Sequence, residues 1–537
     1  MAAIVFGSII LLSIGIALNS RSGKGKVGVE EYLVGGRSFS GILLFFLAVG
    51  EIYSIGTMIG FPGGIYAKGP GYGIWFLGYI LLAYPIGYYM APLMWRAGKK
   101  YGAMTLPDIF KGHYSHRGLE LVVAISALLF MIPWGQLQFE GLVVALNALG
   151  FNLSPTLSVI VSGCLAFIYI SISGVKAPAL ISILKDIIML LAIIITGLVV
   201  IKEINGVSNL FNLAKQHGAM VTIDKSEDVV FSMTTIFFQA LAFYCMPIIV
   251  AVVFTSKSEG TIKRTQRFMP LYMLMYPFLI LASYFALVSI PDLDNPNHSF
   301  MATVTSILPP WAVGLVAAGA ALSGILVLAV TSLAVGGLVS RNLLSNVPEK
   351  SQRKWVQIIV LLYLLCSMGL TLLAPSLMLN LINTAYYGFG QFLPGLLSIF
   401  FFRSIRPAGI AAGLIAGDLF AIGMHLAQMN FLNINIGLIA LLINFTVAYA
   451  ISMYLKRKQK AQTAFEEPIA CNSIELEETY PKTLSLSINI SYDKVHSDLI
   501  QPYIIVIGLN SLNIQKKKDQ FFYLYLGLQY RCKGYYT

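Results

Sequence analysis

The chain has 537 residues, of which 57% are hydrophobic and only 11% are charged, and its mean hydropathy is +0.77. A soluble protein carries about 25% charged residues, so this composition excludes a soluble class and indicates a polytopic membrane protein. The net charge of +12 does not indicate a nucleic-acid partner, because the basic residues lie between apolar segments, where membrane proteins place them.

Segments of about 20 mostly apolar residues can cross a bilayer as helices. By this criterion the sequence predicts an all-α fold of about thirteen membrane-spanning helices. Spans 1 to 13 are predicted, in chain order, over residues 2–19, 40–67, 72–95, 119–148, 155–173, 180–201, 229–254, 269–290, 310–338, 356–374, 378–402, 408–428 and 434–455. The first span begins without a basic segment, which favours a membrane helix over a cleaved signal peptide.

The loops between these spans alternate in charge. Lys or Arg follows every odd-numbered span, with Lys176 alone after span 5, whereas the segments 149–154, 291–299 and 429–433 are poor in both. By the positive-inside rule, the first residue lies outside the cell membrane and the segment after 455 lies in the cytoplasm. This topology requires an odd number of spans, which favours thirteen over twelve.

Composition also divides the chain into regions. Residues 1–28 hold the first span and a basic loop, 29–407 hold spans 2 to 11, and 408–460 hold two peripheral spans. Residues 461–537 are polar and then rich in Asn, Ile, Tyr and Lys, and their apolar runs are too short to span. We expect this last region to be a cytoplasmic tail, and no motif assigns it a role.

Span 2 contains the most informative residues of the chain. It carries an acid, Glu51, near its middle and is interrupted by Gly and Pro over residues 60–64. A charge at mid-membrane costs several kcal/mol, on the order of 3, unless it faces protein or water. Gly and Pro free backbone groups that lipid cannot satisfy. A broken, charged span therefore predicts the lining of a solute or ion site.

Other ionisable side chains also fall in predicted spans. They are Glu140 in span 4, Lys185 with Asp186 in span 6, and Asp418 in span 12. Each can serve an ion or proton pathway, or can form a structural pair or lie at the interface. Cys and His are scattered without metal-ligand spacing, so no cofactor is predicted from them.

Two further patterns have ordinary explanations. Span 9 is rich in Ala, Gly, Ser and Thr, which predicts close helix packing, and its Ser323, Thr331 and Ser332 could also coordinate an ion. Aromatic residues elsewhere in the spans are interpreted mainly as interfacial belt or packing. These aromatic residues are Tyr53, Trp75, Trp134, Tyr386 and Tyr387, of which Tyr53 is the best candidate for solute contact.

Five segments, in order, resemble the sodium/solute symporter family over roughly residues 1–455. They are EEYLVGGRSFSG at 30–41, AVGEIYSIGTMIGFPGGIYAKG at 48–69, TLPDIFKGHY at 105–114, SKSEGTIKRTQRFMPLY at 256–272 and YYGFGQFLPGLLSIFFFR at 386–403. The resemblance implies an inverted-repeat, leucine-transporter-like core within residues 29–407. Spans 2–6 and 7–11 would form two five-helix halves around a central site with alternating access.

The family's sodium site is only partly present in this sequence. Matching its motifs places the two backbone carbonyls at Gly50 and Tyr53, but places the hydroxyl pair of span 9 at Leu326 and Val327. The family's early span 6 acid matches Ser182, and one turn later Lys185 stands where Gln is usual. A hard cation needs several oxygen ligands, which this set no longer supplies.

We therefore predict that transport is coupled to protons or is uncoupled, with Lys185, Glu51 or Glu140 as the titrating group. A register shifted by one helical turn would instead supply Ser323, and sodium would then be the coupling ion.

The resemblance places the solute beside the broken helix, against Tyr53, Ser54, Thr57, Met58 and Gln136. An organic acid or amino-acid-like solute fits these residues better than a sugar. A channel, or a membrane sensor with a transporter-like body, is the alternative. A membrane enzyme is not expected, because no cluster of catalytic groups is present in the sequence. The predicted partners are a small solute and membrane lipid, and the oligomeric state is left open.

Overall fold

The computed structural model describes residues 1–20, 28–150, 154–223, 225–344, 347–401, 405–429 and 431–463. Nearly all of the predicted tail therefore lies outside the described residues. Within the described ranges the chain is built from helices, with one isolated bridge between Phe39 and Ser256.

The helices of the first half of the fold follow one another with short connections. They are α1 (Ala2–Asn19), α2 (Val29–Val34), α3 (Gly41–Ile52), α4 (Phe61–Lys68), α5 (Pro70–Tyr101), α6 (Leu106–Tyr114), α7 (Arg117–Asn147), α8 (Pro155–Ser173), α9 (Lys176–Glu203) and α10 (Val207–Gln216).

The second half has the same character, and two further long helices end it. Its helices are α11 (Ser226–Ala242), α12 (Pro247–Phe254), α13 (Glu259–Phe268), α14 (Tyr276–Ser289), α15 (Ser299–Ile307), α16 (Pro310–Leu338), α17 (Glu349–Leu373), α18 (Met378–Phe389), α19 (Leu393–Phe400), α20 (Pro407–Leu426) and α21 (Ile436–Thr463).

Among the described residues, 11 helical stretches are long and apolar enough to cross a membrane. The shorter apolar helix within α8, Thr156–Tyr169, and the interrupted pair α18–α19 match the remaining two predicted spans. The fold is therefore the all-α membrane architecture that the sequence predicts.

Two interrupted helices run in opposite directions through the core. The first is α3–α4, and the second is α11–α12, which is interrupted by a 3-10 turn over Phe243–Cys245 and an extended residue, Met246. The Phe39 N–H, just before α3, donates to the Thr255 carbonyl, just after α12, at 3.0 Å. The start of one interrupted helix thus lies beside the end of the other, as an inverted repeat requires.

Helix α16 lies at the centre of the bundle. In its most apolar window 94% of the residues are buried, against 17% for α1. A Cβ added at Gly319 would come within 3.1 Å of Ile188, and one at Gly324 within 3.0 Å of Leu142. The small residues of span 9 therefore let α9 and α7 approach closely, which confirms the packing interpretation.

The end of the bundle that carries the basic loops is tied together by Asp108, which belongs to the TLPD motif. Asp108 completes a capping box with Thr105 at the start of α6. Its carboxylate also accepts from Arg341 Nε at 3.0 Å and from Asn342 Nδ2 at 2.8 Å, both just after α16. Asn342 Nδ2 in turn donates to the buried Glu120 of α7 at 2.9 Å. The motif thus joins helices of the two halves.

Candidate functional site

The first interrupted helix breaks at a position the sequence does not mark. Helix α3 ends at Ile52, Tyr53 is non-helical (φ −95°, ψ 75°), and a π-helical turn over Gly56–Gly60 leads into α4. The predicted interruption at residues 60–64 is therefore wrong. Pro62 lies in the first turn of α4, a position that helices accept for proline.

Gly63 and Gly64 allow close packing instead of breaking the helix. A Cβ at Gly63 would come within 3.0 Å of the Pro296 carbonyl, and one at Gly64 within 2.0 Å of Leu379. They let α4 lie against the segment before α15 and against α18, so these glycines hold the second half of the interrupted helix in place.

The Lys185 ammonium occupies the break. Nζ donates to the Tyr53 carbonyl at 2.9 Å and to the Gly50 carbonyl at 3.3 Å. These are the two carbonyls that the family resemblance assigns to a cation. Lys185 is fully buried. The carbonyls at the end of a helix lack helical partners and carry partial negative charge, and the Lys185 ammonium faces them at the end of α3.

Asp186, one of the ionisable residues of span 6, completes this group. Its Oδ1 lies 2.5 Å from Lys185 Nζ, and neither side chain is exposed. Its oxygens make no hydrogen bond of normal geometry with a described residue, so the ion pair with Lys185 is their compensation. The signal for it was its position next to Lys185 inside an apolar span.

Glu51 lies close enough to interact electrostatically with both Lys185 and Asp186. It is 4% exposed, and its Oε2 has no hydrogen-bond partner among the described residues. Two carboxyl groups therefore accompany one ammonium in a region shielded from water. We call Glu51, Lys185 and Asp186 the buried charge group.

The serines predicted for ion binding are engaged elsewhere. The Ser182 hydroxyl donates to the Ala179 carbonyl at 2.8 Å, and the Ser323 hydroxyl donates to the Gly319 carbonyl at 2.8 Å. Leu326 and Val327 are buried and carry no side-chain oxygen. The Gly50 and Tyr53 carbonyls accept from the Lys185 ammonium, which takes the position that the family resemblance assigns to a cation.

Gln136 and Glu140 lie on one strip of α7, as predicted, but they form a separate polar group. Gln136 Nε2 donates to the Ala374 carbonyl at 2.7 Å, and Glu140 Oε1 accepts from the Ser376 N–H at 3.1 Å. Asn297 binds the same segment, donating to the Ser376 carbonyl at 3.1 Å. This strip therefore fastens the connection between α17 and α18.

The residues predicted to contact solute at the break are all buried, and their polar groups have local partners. The Tyr53 hydroxyl is hydrogen-bonded to that of Tyr84, and its ring stacks on Tyr272 with centroids 5.4 Å apart. Ser54 Oγ accepts from the Gly56 N–H at 3.2 Å. Thr57 and Met58 are fully buried on the π-helical turn.

All five aromatic residues singled out in the spans are buried. Tyr53, Trp75 and Tyr386 are 0% exposed, Trp134 is 6% exposed and Tyr387 is 7% exposed, so they serve packing and not an interfacial belt. Trp75 lies on α5, Trp134 on α7 and Tyr386 on α18, all of which pack around the two breaks. Their contacts with one another could not be seen from their spacing in the sequence.

The fold and the buried charge group at a broken helix define a membrane transporter with an inverted-repeat core. The family model of the sodium:solute symporter family matches residues 32–417, and the chain belongs to that family. It is therefore a member of a transporter family and not of an enzyme family.

Its relatives include bacterial transport proteins. The chain is 26% identical to the uncharacterized symporter YhjB of Bacillus subtilis, over 86% of this chain and 98% of the relative. It is also 26% identical to a monocarboxylate transport permease protein of Rhizobium johnstonii, over 85% and 97%.

The fold is also similar to a solved structure, a Na⁺-coupled sialic acid symporter in a substrate-bound outward-open state. The TM-score is 0.69 at 13% sequence identity, over 84% of this chain and 98% of that structure. This likeness confirms the expected fold.

Proposed function

We propose that this protein is a secondary transporter of a small organic solute in which the Lys185 ammonium takes the place of a coupling sodium ion. The observation that carries the proposal is the pair of hydrogen bonds from Lys185 Nζ to the Gly50 and Tyr53 carbonyls. While Nζ donates to both carbonyls, it takes the position that a sodium ion would need.

The composition of the buried charge group supports coupling to protons. Glu51 and Asp186 could carry two negative charges against the single positive charge of Lys185, and an uncompensated buried charge is costly. Protonation of one carboxyl would leave the group neutral without a metal ion. Binding and release of that proton, as the break rearranges between its two states, would couple proton and solute movement.

An organic acid is the proposed solute class. The relative named as a monocarboxylate transport permease supports it. The residues proposed to face the solute at the break (Tyr53, Ser54, Thr57 and Met58, with Gln136 on α7) are mixed in polarity and uncharged. They lack the dense set of Asn, Gln and Glu side chains expected for a sugar.

The loop charges support the orientation. With the first residue outside and α21 leading into the cytoplasm, each basic loop falls on the cytoplasmic side of the cell membrane. The segment fastened by Glu140 and Asn297 then lies on the outer side, and the Asp108 network lies on the inner side.

Solute counterflow tests the transporter itself. Purified full-length protein is reconstituted into liposomes loaded with unlabelled acid, and uptake of a trace of labelled acid is followed. A transporter accumulates label transiently without net current, whereas a channel gives no overshoot and a sensor gives no flux. Absence of counterflow for acids, amino acids and sugars alike would contradict the proposal.

A further inference from the structure

Helix α13 lies against the part of α5 that leads into a basic loop. Near the start of α13, the Glu259 carboxylate accepts two hydrogen bonds from Arg96, at 2.7 and 2.8 Å. Near its end, Arg267 Nη2 donates to the Tyr88 hydroxyl at 2.9 Å. Between them, Lys263 Nζ lies 2.9 Å from Glu259 and 5.9 Å from the centroid of the Tyr88 ring. These contacts fix the charged residues of α13 along α5.

The Tyr88 end of this contact lies close to the level of the lipid headgroups. Helix α5 has 32 residues. This corresponds to about 48 Å of helix, whereas the hydrocarbon core of a bilayer is only about 30 Å thick. The surplus lies at the end that carries Arg96, Lys99 and Lys100, because such residues avoid the core. Arg267, bound to Tyr88, is therefore near the phosphate groups of the leaflet on this side.

The positive charges of α13 are not balanced within the protein. Glu259 is the only acid of this helix and already pairs with Arg96 and Lys263. Among the described residues, neither Arg264 nor Arg267 has an ion pair, although both are exposed. A guanidinium carries five N–H donors, and one hydrogen bond, to Tyr88, is all that Arg267 makes within the described part of the chain. Donors therefore remain for an anion outside the protein.

Exposed apolar side chains continue the same face. The spacing of four and then three residues places Arg264, Phe268 and Leu271 on one side of the chain. Phe268 is 49% exposed and Leu271 is 60% exposed. We call Lys263, Arg264, Arg267, Phe268 and Leu271 the α13 surface. It combines unpaired guanidinium groups with apolar side chains at headgroup level, which are the two features that a phospholipid can fill.

We propose that the α13 surface binds an anionic phospholipid of this leaflet, with Arg264 and Arg267 at its headgroup and Phe268 and Leu271 against an acyl chain. Basic residues at a membrane surface attract anionic lipids, whereas a zwitterionic lipid carries its own ammonium and would bring it to the same arginines. Arginine also suits the headgroup because its planar donors match phosphate oxygens. The inference goes beyond the proposed function and depends neither on the solute nor on the coupling ion.

Native mass spectrometry of the delipidated full-length protein tests the lipid class. The probes are dioleoyl phosphatidylglycerol, dioleoyl phosphatidylcholine as the zwitterionic control, and glycerol 1-phosphate as a phosphate without acyl chains. We expect phosphatidylglycerol to bind about 10-fold or more tightly than phosphatidylcholine, and glycerol 1-phosphate not to displace it at equal concentration. Equal affinity for the two lipids would overturn the inference. Displacement by glycerol 1-phosphate would instead indicate a site for free phosphate and would overturn it as well.

Two double variants locate the site. Arg264→Gln/Arg267→Gln removes both unpaired guanidinium groups and should weaken phosphatidylglycerol binding about 10- to 100-fold. Arg457→Gln/Lys458→Gln is the matched control, since it removes two exposed charges from α21, and should leave the affinity unchanged. Equal affinities in these two variants would overturn the assignment to α13.

Salt provides a readout that needs no substitution. Raising the concentration of ammonium acetate from about 0.1 to about 1 M shortens the Debye length from about 10 to about 3 Å. Phosphatidylglycerol binding by the wild-type protein should weaken severalfold over this range, and phosphatidylcholine binding should not. Phosphatidylglycerol binding that ignores salt would contradict the role of the arginines.

The inference and the proposed function can fail separately, because lipid binding is measured without transport. Counterflow by a protein that does not prefer phosphatidylglycerol would overturn the lipid site and leave the transporter in place. A preference that depends on Arg264 and Arg267, without counterflow of any solute, would support the lipid site and contradict the proposed function.

Discussion

Replacing Lys185 by alanine removes the charge on which the proposed mechanism depends. The substitution leaves the Asp186 carboxylate fully buried without its ion pair, and leaves the Gly50 and Tyr53 carbonyls without a donor. Breaking a buried pair from one side costs about 3–5 kcal/mol. Since a domain is stable by only about 5–15 kcal/mol, the variant should melt at a clearly lower temperature.

A second substitution separates charge loss from packing loss. In the double variant Lys185→Ala/Asp186→Asn no unpaired carboxylate remains at this pair, so about half or more of the lost stability should return. Transport by either variant should lose its dependence on external pH, because the balance of one ammonium against two carboxyls is gone. Lys176→Gln, on the same helix but in a partly exposed pair with Glu31, is the control and should cost less than about 1 kcal/mol.

Thermal melting in detergent and uptake into proteoliposomes at acid and neutral external pH give the two readouts. The reasoning is refuted if Lys185→Ala melts with the wild type and keeps its pH-dependent uptake. It is equally refuted if the double variant is no more stable than the single one.

Three further outcomes follow from the described contacts. Glu140→Gln keeps an acceptor for the Ser376 N–H and should retain pH-dependent uptake, whereas Glu140→Ala should lose about 1–3 kcal/mol of stability. If Glu140→Gln lost its pH dependence, the coupling group would lie on α7. Asp108→Ala removes the partner of Arg341 and Asn342 and should cost about 3–5 kcal/mol of stability in melting experiments. Its control, Glu30→Gln, breaks an exposed pair with Arg37 and should cost less than about 1 kcal/mol. Equal costs would contradict the joining role of Asp108. Gly388→Ala would place a Cβ 1.8 Å from Phe130 and should cost about 1–3 kcal/mol of stability. Gly369→Ala meets nothing within 4 Å and should stabilise α17 by up to about 1 kcal/mol. The opposite order of stabilities would show that this packing is wrong.

The fold could be predicted from sequence because membrane spans are coded locally. About 20 apolar residues, with basic loops at every second turn, are sufficient to place a span. The exact break in span 2 could not be predicted in this way. Gly and Pro over residues 60–64 predict a break there, but the helix breaks at Tyr53, whose carbonyl accepts a hydrogen bond from the Lys185 ammonium.

The sequence predicts those site residues whose type is rare inside membrane spans. A lysine or a glutamate in an apolar span stands out, and Lys185 and Glu51 are therefore predicted site residues. Trp75, Trp134 and Tyr386 resemble any membrane aromatics in sequence, and only the packing of three separate helices shows that they are buried together. Asp186 stands out in the same way, but its ion pair with Lys185 depends on the direction that the neighbouring ammonium takes, which the sequence does not show.

The most direct test of the central claim is the rate of solute uptake into proteoliposomes when sodium is replaced by N-methyl-D-glucamine. If the Lys185 ammonium stands in for the cation, uptake is unchanged by the replacement at every pH and rises when the outside is made acidic. Uptake that saturates with sodium and is unaffected by the pH gradient would contradict the account.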